Sequence, residues 1–518
     1  MTTSQHDATP RQSRTEVALG GWLWMMFGGA AQGAVTIGVV AVLARLLTPT
    51  DFGAVAAALL VINFAMILSQ AFVRPALVQH PRLGREHEEA SLVISLATGV
   101  ALFALLWGLA PLVAGVMDVP GLTAILRALA VVLPIQSLGS VSEGLLRREL
   151  RFRTVATARA VSYTAGYGLV GITAAVLGAG LWALVAASAS QIALNTSLLV
   201  LLRRHSWRIR ADRQALRELL SFGSGFFLGR LGNYAAVNGG HAVVVGALGA
   251  TALGLYERAY KFTAMPAVFL GQIMDDVLFP AMAQIQHERK RLALAYRRCV
   301  AGVALLTLPT SGLLFVLAPE IVAVLLGSQW GEVVAPFRIM AFGTLFRASY
   351  KIGDALTRAL GAVYRRAWRQ WTYAALVIGG GLIGQRWGLN GVAVAMLFAL
   401  SVNYVMTSHL GMQLVALPWR EYARAYRPGL VAAAIVTVAA QTAATLARSV
   451  LGFHAVGVLA VTAAGIAIVI LPIALWQRAW LLGEDGDWLA QGLTGFFRRK
   501  LAKFEPHLPG FARRVARP

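Results

Sequence analysis

Long apolar runs alternate with short polar connections along nearly the whole chain. An α-helix rises about 1.5 Å per residue, so about 20 consecutive apolar residues can cross the hydrocarbon core of a bilayer. By this measure the pattern predicts fourteen membrane-spanning helices, at approximately 21–44, 53–73, 91–117, 122–142, 155–178, 181–202, 220–246, 257–283, 299–317, 333–357, 371–386, 390–414, 429–447 and 454–476. We therefore expect an all-α, polytopic membrane protein.

The composition agrees with this class. The 518 residues are 58% hydrophobic and 13% charged, with a mean hydropathy of +0.66, outside the usual range of soluble domains. Cys299 is the single cysteine, which excludes an internal disulfide and a thiolate metal cluster. The sequence holds no motif of a nucleotide-binding, metalloprotease or hydrolase site, so we expect no enzyme activity, no cofactor and no metal.

The net charge of +23 has a topological explanation. In a soluble chain it would suggest a nucleic-acid partner, but membrane proteins collect Lys and Arg on their cytoplasmic side. If the N-terminus is cytoplasmic, the segments on that side hold 35 of the 46 Lys and Arg residues, and the opposite side holds only Arg45, Arg386 and Arg448. This distribution predicts two cytoplasmic termini and no nucleic-acid partner.

The sequence also contains an internal repeat. Residues 22–53 align with 223–254 at an offset of 201, and by the fourth and tenth spans the offset has grown to 211. Six spans per repeat predict two pseudo-symmetric lobes with the same orientation in the membrane. The predicted organisation is a cytoplasmic segment (1–20), an N-terminal six-helix lobe (21–202), a basic linker (203–219), a C-terminal six-helix lobe (220–414), two extra transmembrane helices (415–476) and a cytoplasmic amphipathic tail (477–518).

The tenth span carries charges that a lipid-facing helix should not have. Arg347, Lys351, Asp354 and Arg358 are spaced four, three and four residues apart, which places them on one helical stripe. A charge at mid-bilayer costs about 2.5–3.5 kcal/mol, so this stripe should face a water-filled or protein-lined interior. The copy 211 residues earlier carries fewer charges. The aligned pairs are Arg127 with Arg338, Gln136 with Arg347, Ser140 with Lys351, Glu143 with Asp354 and Arg147 with Arg358.

These positions give two sets of candidate site residues. The predicted substrate-binding residues line a cationic central cavity: Arg347, Arg230, Lys351, Arg338, Arg127 and Asp354. The structural alternative is that Asp354 pairs with Lys351 and locks the lobes together. The candidate ion-coupling residues are Asp275, Asp276 and His241, for which an interfacial salt bridge and a packing histidine are the alternatives. Three further cations near span ends are interpreted as reaching lipid headgroups: Arg159, Arg258 and Lys261.

Five short motifs occur in the order typical of a known family. They are Leu47–Gly53, Ala76–Gln79, Arg147–Phe152, Gly254–Tyr260 and Val277–Ala281. With them the chain resembles the oligosaccharide flippases of the polysaccharide transport family, within the multidrug/oligosaccharidyl-lipid/polysaccharide exporter superfamily. It departs from that pattern at residues 71–75, where the family often has a Gly-rich, Asp-containing segment.

The resemblance implies a two-lobed bundle in the bacterial inner membrane that moves undecaprenyl-pyrophosphate-linked repeat units to the periplasmic leaflet. Its implied partners are the lipid-linked oligosaccharide and membrane lipids, with a polysaccharide polymerase and export machinery as further candidates. Three alternatives remain: a peptidoglycan lipid-precursor flippase, a drug exporter of the same superfamily, and, from another class, a membrane polysaccharide polymerase or ligase. A cation exporter would need acidic residues in its cavity, and a polymerase would need a longer external loop than 318–332.

Overall fold

The computed structural model describes residues 32–70, 73, 77, 83–149, 151–208, 212–274 and 278–476. Within these ranges it describes no side chains at 220–230, 272–273, 280, 363–364 and 471–476. The described residues form helices joined by short connections and contain no β-strand.

The structure describes eight α-helices between residues 32 and 202. They are α1 (Gln32–Leu46), α2 (Pro49–Gln70), α3 (Arg85–Met117), α4 (Leu122–Ala130), α5 (Val132–Arg148), α6 (Phe152–Tyr163), α7 (Ile172–Val176) and α8 (Leu181–Leu202). A π-helix at Thr164–Gly171 connects α6 to α7.

The second half begins with a long helix that is broken once. The helices are α9 (Arg213–Ile273), α10 (Phe279–Gln284), α11 (Arg289–Val316), α12 (Ala318–Leu325), α13 (Val334–Ala341), α14 (Gly343–Ala359), α15 (Val363–Gly384), α16 (Gly388–Val415), α17 (Trp419–Arg424), α18 (Arg427–Thr445) and α19 (Ala455–Trp476). The break in α9 lies at Gly249, whose φ of 81° is easily adopted only by glycine. This break separates the seventh and eighth predicted spans.

Eight helices in the described part of the chain are long and apolar enough to cross a membrane, and two shorter apolar helices flank them. Two of these eight overlap two predicted spans each, the helical stretches at Leu231–Gly271 and Arg365–Val415. The chain is therefore a multi-pass membrane protein with a nearly all-helical fold. The count of fourteen spans and the lobe boundaries stay predictions.

The contacts group the chain into two compact units. One consists of residues 1–47, 68–108 and 127–224, and the other of residues 48–67, 109–126 and 225–518. In the second unit, α18 packs directly on α11, because a Cβ at Gly429 would lie 2.7 Å from the backbone carbon of Ala304. A buried apolar cluster that includes Val316, Ala440 and Val458 joins α11, α18 and α19. The two extra helices thus belong to the second unit.

A reciprocal contact in this second unit has the geometry that the internal repeat predicts. A Cβ at Gly53 would overlap the carbonyl oxygen of Ala250, and a Cβ at Gly254 would overlap the carbonyl oxygen of Pro49. Each contact maps onto the other at the sequence offset of 201. The hydroxyl groups of Thr50 and Thr251, again 201 residues apart, lie 2.8 Å from each other. Such self-complementary contacts are those of a local two-fold axis.

Candidate functional site

The charged stripe on α14 divides into paired and unpaired side chains. The carboxylate of Asp354 lies 3.3 Å from Nε of Arg358 and accepts a hydrogen bond from Nε of Arg366 on α15. Its side chain is only 15% exposed. The pair between Asp354 and Lys351 that the sequence allowed is not formed. Asp354 instead fastens α14 to the next helix.

The matching residue in the first unit has the same arrangement. Oε1 of Glu143 on α5 lies 2.9 Å from Nη2 of Arg147 and 2.7 Å from Nη2 of Arg159 on α6. Glu143 is 3% exposed, and each arginine is charge-paired there. The interpretation of Arg159 as a headgroup-directed side chain is therefore wrong, because its partner is this buried carboxylate.

Arg127 and Arg338 also make equivalent contacts in their own units. Nε of Arg338 donates to the carbonyl oxygen of Phe315 at 3.2 Å, with the guanidinium 5.6 Å from the centre of that ring. Nε of Arg127 donates to the carbonyl oxygen of Trp107 at 3.3 Å, with the guanidinium 5.5 Å from the ring.

Prolines explain why these two carbonyl groups need a donor from outside the helix. A helical carbonyl accepts from the N–H four residues later, and proline has no N–H. Four residues after Trp107 is Pro111, inside α3, and four residues after Phe315 is Pro319, at the start of α12. Each arginine therefore satisfies a carbonyl that a proline leaves free. In both copies a proline follows an aromatic residue by four positions, and this spacing was the sequence signal that a carbonyl group needs an outside donor.

Arg347 lies in a different environment from these paired arginines. Its guanidinium stacks on Tyr260, 4.2 Å from the ring centre, and Nη1 is buried without a hydrogen-bond partner. It is the one charged residue in the lining of a pocket formed by Tyr256, Tyr260, Met340, Gly343, Arg347, Met396, Leu397 and Leu400. Among the described residues, no carboxylate lies at salt-bridge distance from it.

Lys351, one helical turn further along α14, is likewise without a carboxylate partner in the part of the chain that the structure describes. Its Nζ lies 5.5 Å from the ring centre of Tyr350. Its methylene groups lie beside Gly271, where a Cβ would be 3.5 Å from Cε. Arg347 and Lys351 thus place two positive charges on one helix face without a compensating acid.

His241 on α9 packs between two tyrosines next to this region. Its ring meets Tyr256 and Tyr260 edge-on, with centroid distances of 5.1 and 5.0 Å. Because Tyr260 also carries the Arg347 guanidinium, one aromatic ring separates the two side chains.

Sequence reasoning missed the acid beside this cluster. The carboxylate of Glu257 lies 2.6 Å from Nζ of Lys261 and 3.0 Å from Nη2 of Arg258. Arg258 is only 5% exposed and stacks 4.5 Å from the ring centre of Phe52. Its interpretation as a side chain that reaches headgroups is therefore wrong. The sequence did contain a signal for these ion pairs, because Glu257 lies one residue before Arg258 and four residues before Lys261.

Three candidate residues cannot be placed. Asp275 and Asp276 lie outside the described residues, and of Arg230 the structure describes the helical backbone but not the side chain. Over the described ranges, no three His, Cys, Asp or Glu side chains lie close enough together to hold a metal ion.

Residues 42–335 match the sequence profile of a family described as polysaccharide biosynthesis protein. The succinoglycan biosynthesis transport protein ExoT of Rhizobium meliloti (strain 1021) is 30% identical over 295 residues, 56% of this chain and 59% of that protein. The lipopolysaccharide biosynthesis protein WzxC of Escherichia coli (strain K12) is 22% identical over 71% of this chain and 75% of that protein. The match to ExoT thus spans less than two thirds of that relative.

Solved structures show the same fold at low sequence identity. The lipid II flippase MurJ, in an inward closed conformation, superposes with a TM-score of 0.68 at 12% identity over 89% of this chain and 100% of MurJ. An inward-facing multidrug resistance MATE family transporter of the MOP superfamily has a TM-score of 0.62 at 17% identity, over 74% of this chain and 95% of that one. The profile match covers more than half of the sequence, and the chain therefore belongs to the polysaccharide biosynthesis protein family, with the fold of MOP superfamily transporters.

Proposed function

We propose that the chain is a flippase that moves undecaprenyl-pyrophosphate-linked oligosaccharide repeat units across the inner membrane, without catalysing a chemical step. The units would serve the synthesis of exopolysaccharide, capsule or O-antigen. The observation that carries this proposal is the pair of cations without an acid partner among the described residues, Arg347 and Lys351, on one face of α14, the helix of the tenth predicted span.

Two such charges need a partner. Each charge within a membrane helix costs about 2.5–3.5 kcal/mol, and the other acids and bases of the stripe are already paired. Side chains four residues apart on a helix are neighbours, so Arg347 and Lys351 can reach the same anion. A diphosphate carries at least two negative charges and accepts the short, strong hydrogen bonds that guanidinium and ammonium groups donate.

The packing around Arg347 suits this task. The guanidinium group of Arg347 stacks on one face of the Tyr260 ring, which restricts its orientation. No acid among the described residues competes with a substrate anion for its N–H groups. The other lining residues of its pocket are uncharged, which strengthens an ion pair formed there. In this proposal Arg127, Arg338 and Asp354 act structurally, and Arg230 stays a candidate contact.

The relatives support the class of substrate. Their names place ExoT in succinoglycan biosynthesis transport and WzxC in lipopolysaccharide biosynthesis. The fold is that of a lipid II flippase and of a drug transporter. A cationic binding face favours an anionic lipid over a cationic drug.

Alternating access would use the reciprocal contact around Gly53 and Gly254. In the predicted topology this contact lies on the periplasmic side. It combines close packing of small residues, one hydroxyl pair and the stacking of Arg258 on Phe52, and these interactions would have to break for it to open.

The test is a strain that lacks this protein and is complemented with variants on a plasmid. We expect lipid-linked repeat units to accumulate on the inner leaflet of the uncomplemented strain. Wild-type protein should clear them, and Arg347→Gln protein should clear them at least tenfold more slowly while it inserts normally. The matched control is Arg338→Gln, which should retain transport.

Three results would contradict the proposal. Wild-type export by well-expressed Arg347→Gln protein would exclude this side chain from the transport step. Unpolymerised units already in the periplasm would favour a polymerase or ligase. Accumulation of peptidoglycan precursor instead would identify the precursor flippase.

A further inference from the structure

A second polar pocket lies within the second unit, between α14, α15 and α16. Its lining residues are Tyr350, Asp354, Thr357, Arg366, Arg369, Gln370, Asn403, Thr407 and Leu410. It shares no lining residue with the pocket of Arg347. It lies next to the turn at 360–362, which the charge distribution predicts to be cytoplasmic.

The charges at this pocket do not balance. Asp354 is the only acid in its lining, and this one carboxylate is shared between Arg358 and Arg366. Arg369 donates only to backbone, through Nε to the carbonyl oxygen of Met406 at 3.2 Å and through Nη1 to the carbonyl oxygen of Arg365. The lining itself therefore holds two guanidinium groups, of Arg366 and Arg369, and one carboxylate, an excess of one positive charge.

Asn403 is an independent indication of a ligand. This residue is only 2% exposed, and its Nδ2 is buried without a hydrogen-bond partner while the side chain lines the pocket. A buried donor without an acceptor costs about 1–3 kcal/mol. An acceptor that enters the pocket would satisfy this amide and meet both guanidinium groups.

We propose that this pocket binds a phosphate group, held by Arg366, Arg369 and the amide of Asn403. A planar guanidinium can donate two parallel hydrogen bonds to phosphate oxygens. Arg369 and the Asn403 amide offer donors to one anion, and Arg366, whose Nε is bound to Asp354, offers its remaining N–H groups. The site is separate from the substrate contacts of Arg347 and Lys351, and it does not depend on the transported lipid.

Two sources could supply this phosphate. One is free phosphate in the cytoplasm, and the other is the phosphodiester of an anionic phospholipid in the cytoplasmic leaflet. The ring centre of Trp368 lies 4.8 Å from Cζ of Arg369, and the side chain is 53% exposed. Exposed tryptophans are typical of the headgroup level of a bilayer. Basic pockets between membrane helices on the cytoplasmic side bind the phosphate groups of anionic lipids in other proteins.

The first unit offers a matched control. Gly180 directly precedes α8 and Gly388 is the first residue of α16; both have positive φ, and they lie 208 residues apart. This offset aligns Asn403 with Asn195, which also buries one amide atom without a partner. At the stripe offset of 211, Arg369 aligns with Ala158, so the first copy has the asparagine without this arginine, whereas Arg159 pairs with Glu143 there as Arg366 pairs with Asp354.

The experiment measures ligand binding to the purified full chain in detergent, in an Arg347→Gln/Lys351→Ser background that removes the proposed substrate contacts. The probes are inorganic phosphate, dihexanoyl phosphatidylglycerol and, as a control without phosphate, an uncharged detergent of equal chain length. We expect saturable binding of at least one phosphate probe and at least a tenfold loss of affinity in Arg369→Gln and in Asn403→Leu. Arg365→Gln and Asn195→Leu should bind as the background does.

The stability of the unliganded protein shows whether Asn403 serves ligand binding or the fold. Asn403→Leu removes an unsatisfied buried donor, so the melting temperature of the unliganded protein should be unchanged or higher. If this variant does not fold, Asn403→Asp keeps the shape, adds a negative charge and should abolish anion binding. Binding of phosphatidylglycerol alone would assign the site to a lipid, and binding of both probes would assign it to phosphate in general. Absence of binding, or equal binding by the Arg369 and Asn403 variants and their controls, would overturn the proposal.

Discussion

The helices α5 and α14 are two copies of one element, and their charged stripes differ in charge at two positions. Both carry an acid and an i+4 arginine, Glu143 with Arg147 and Asp354 with Arg358, and in both the acid also binds an arginine of the next helix. Between these common features, α14 has Arg347 and Lys351 where α5 has Gln136 and Ser140.

The residues at these two positions have different surroundings in the two helices. Ser140 is buried and donates to Oγ of Ser95 at 2.9 Å, a contact that packs α5 on α3. Charges present in both copies are paired in both, whereas the two cations of one copy alone have no acid partner among the described residues. The repeated acid and i+4 arginine hold helices together, and the proposed function assigns the two cations that are not repeated, Arg347 and Lys351, to the ligand.

The largest effect is expected from removing the shared carboxylates. Glu143→Gln should lower the free energy of unfolding by roughly 2–3 kcal/mol, less than the 3–5 kcal/mol of a fully buried pair, because Arg147 and Arg159 are 34% and 49% exposed. Asp354→Asn should behave similarly. Denaturation of purified protein in detergent measures both.

The control for these two variants is Glu288→Gln. Glu288 pairs with Arg291 where the side chains are 56% and 66% exposed, so its loss should cost less than about 1 kcal/mol. If Glu143→Gln costs no more than Glu288→Gln, the carboxylates do not hold the helices together.

A smaller effect is expected at Arg127 and Arg338. Replacing either by methionine should cost about 1–2 kcal/mol, because a proline-freed carbonyl loses its donor. Pro111→Ala restores a backbone N–H four residues after Trp107, so in that background Arg127→Met should cost much less. The double-mutant cycle measures this coupling. Additive costs would show that the arginine does not serve that carbonyl.

Much of this organisation follows from sequence. Apolar run lengths locate the apolar part of the helices, such as 91–117 within α3 and 390–414 within α16, but 299–317 begins ten residues after the start of α11. The offset of 201 predicted the repeat, and the structure shows in addition that the repeated segments contact each other at Gly53 and Gly254. Spacing also placed the stripe on one face of α14. Helical periodicity reports contacts within one helix, since residues three and four apart are neighbours.

The partners of the stripe could not be predicted in this way. Arg366 and Arg159 reach their acids from the following helix, and periodicity contains no information about contacts between helices. Arg338 was grouped with the stripe although a break at Phe342 separates α13 from α14, and its side chain serves a carbonyl on α11. Burial of Arg258 beside Phe52 depends on tertiary packing alone.

The central claim is tested most directly by giving α14 the residues of α5. Purified wild-type protein and the Arg347→Gln/Lys351→Ser variant are compared for binding of farnesyl pyrophosphate, a short and soluble polyprenyl diphosphate, with Arg338→Gln as the control. We predict that the double variant binds at least tenfold more weakly, that it unfolds at the same temperature as wild type or higher, and that Arg338→Gln keeps wild-type affinity. Equal affinity of the double variant and wild type would contradict the account.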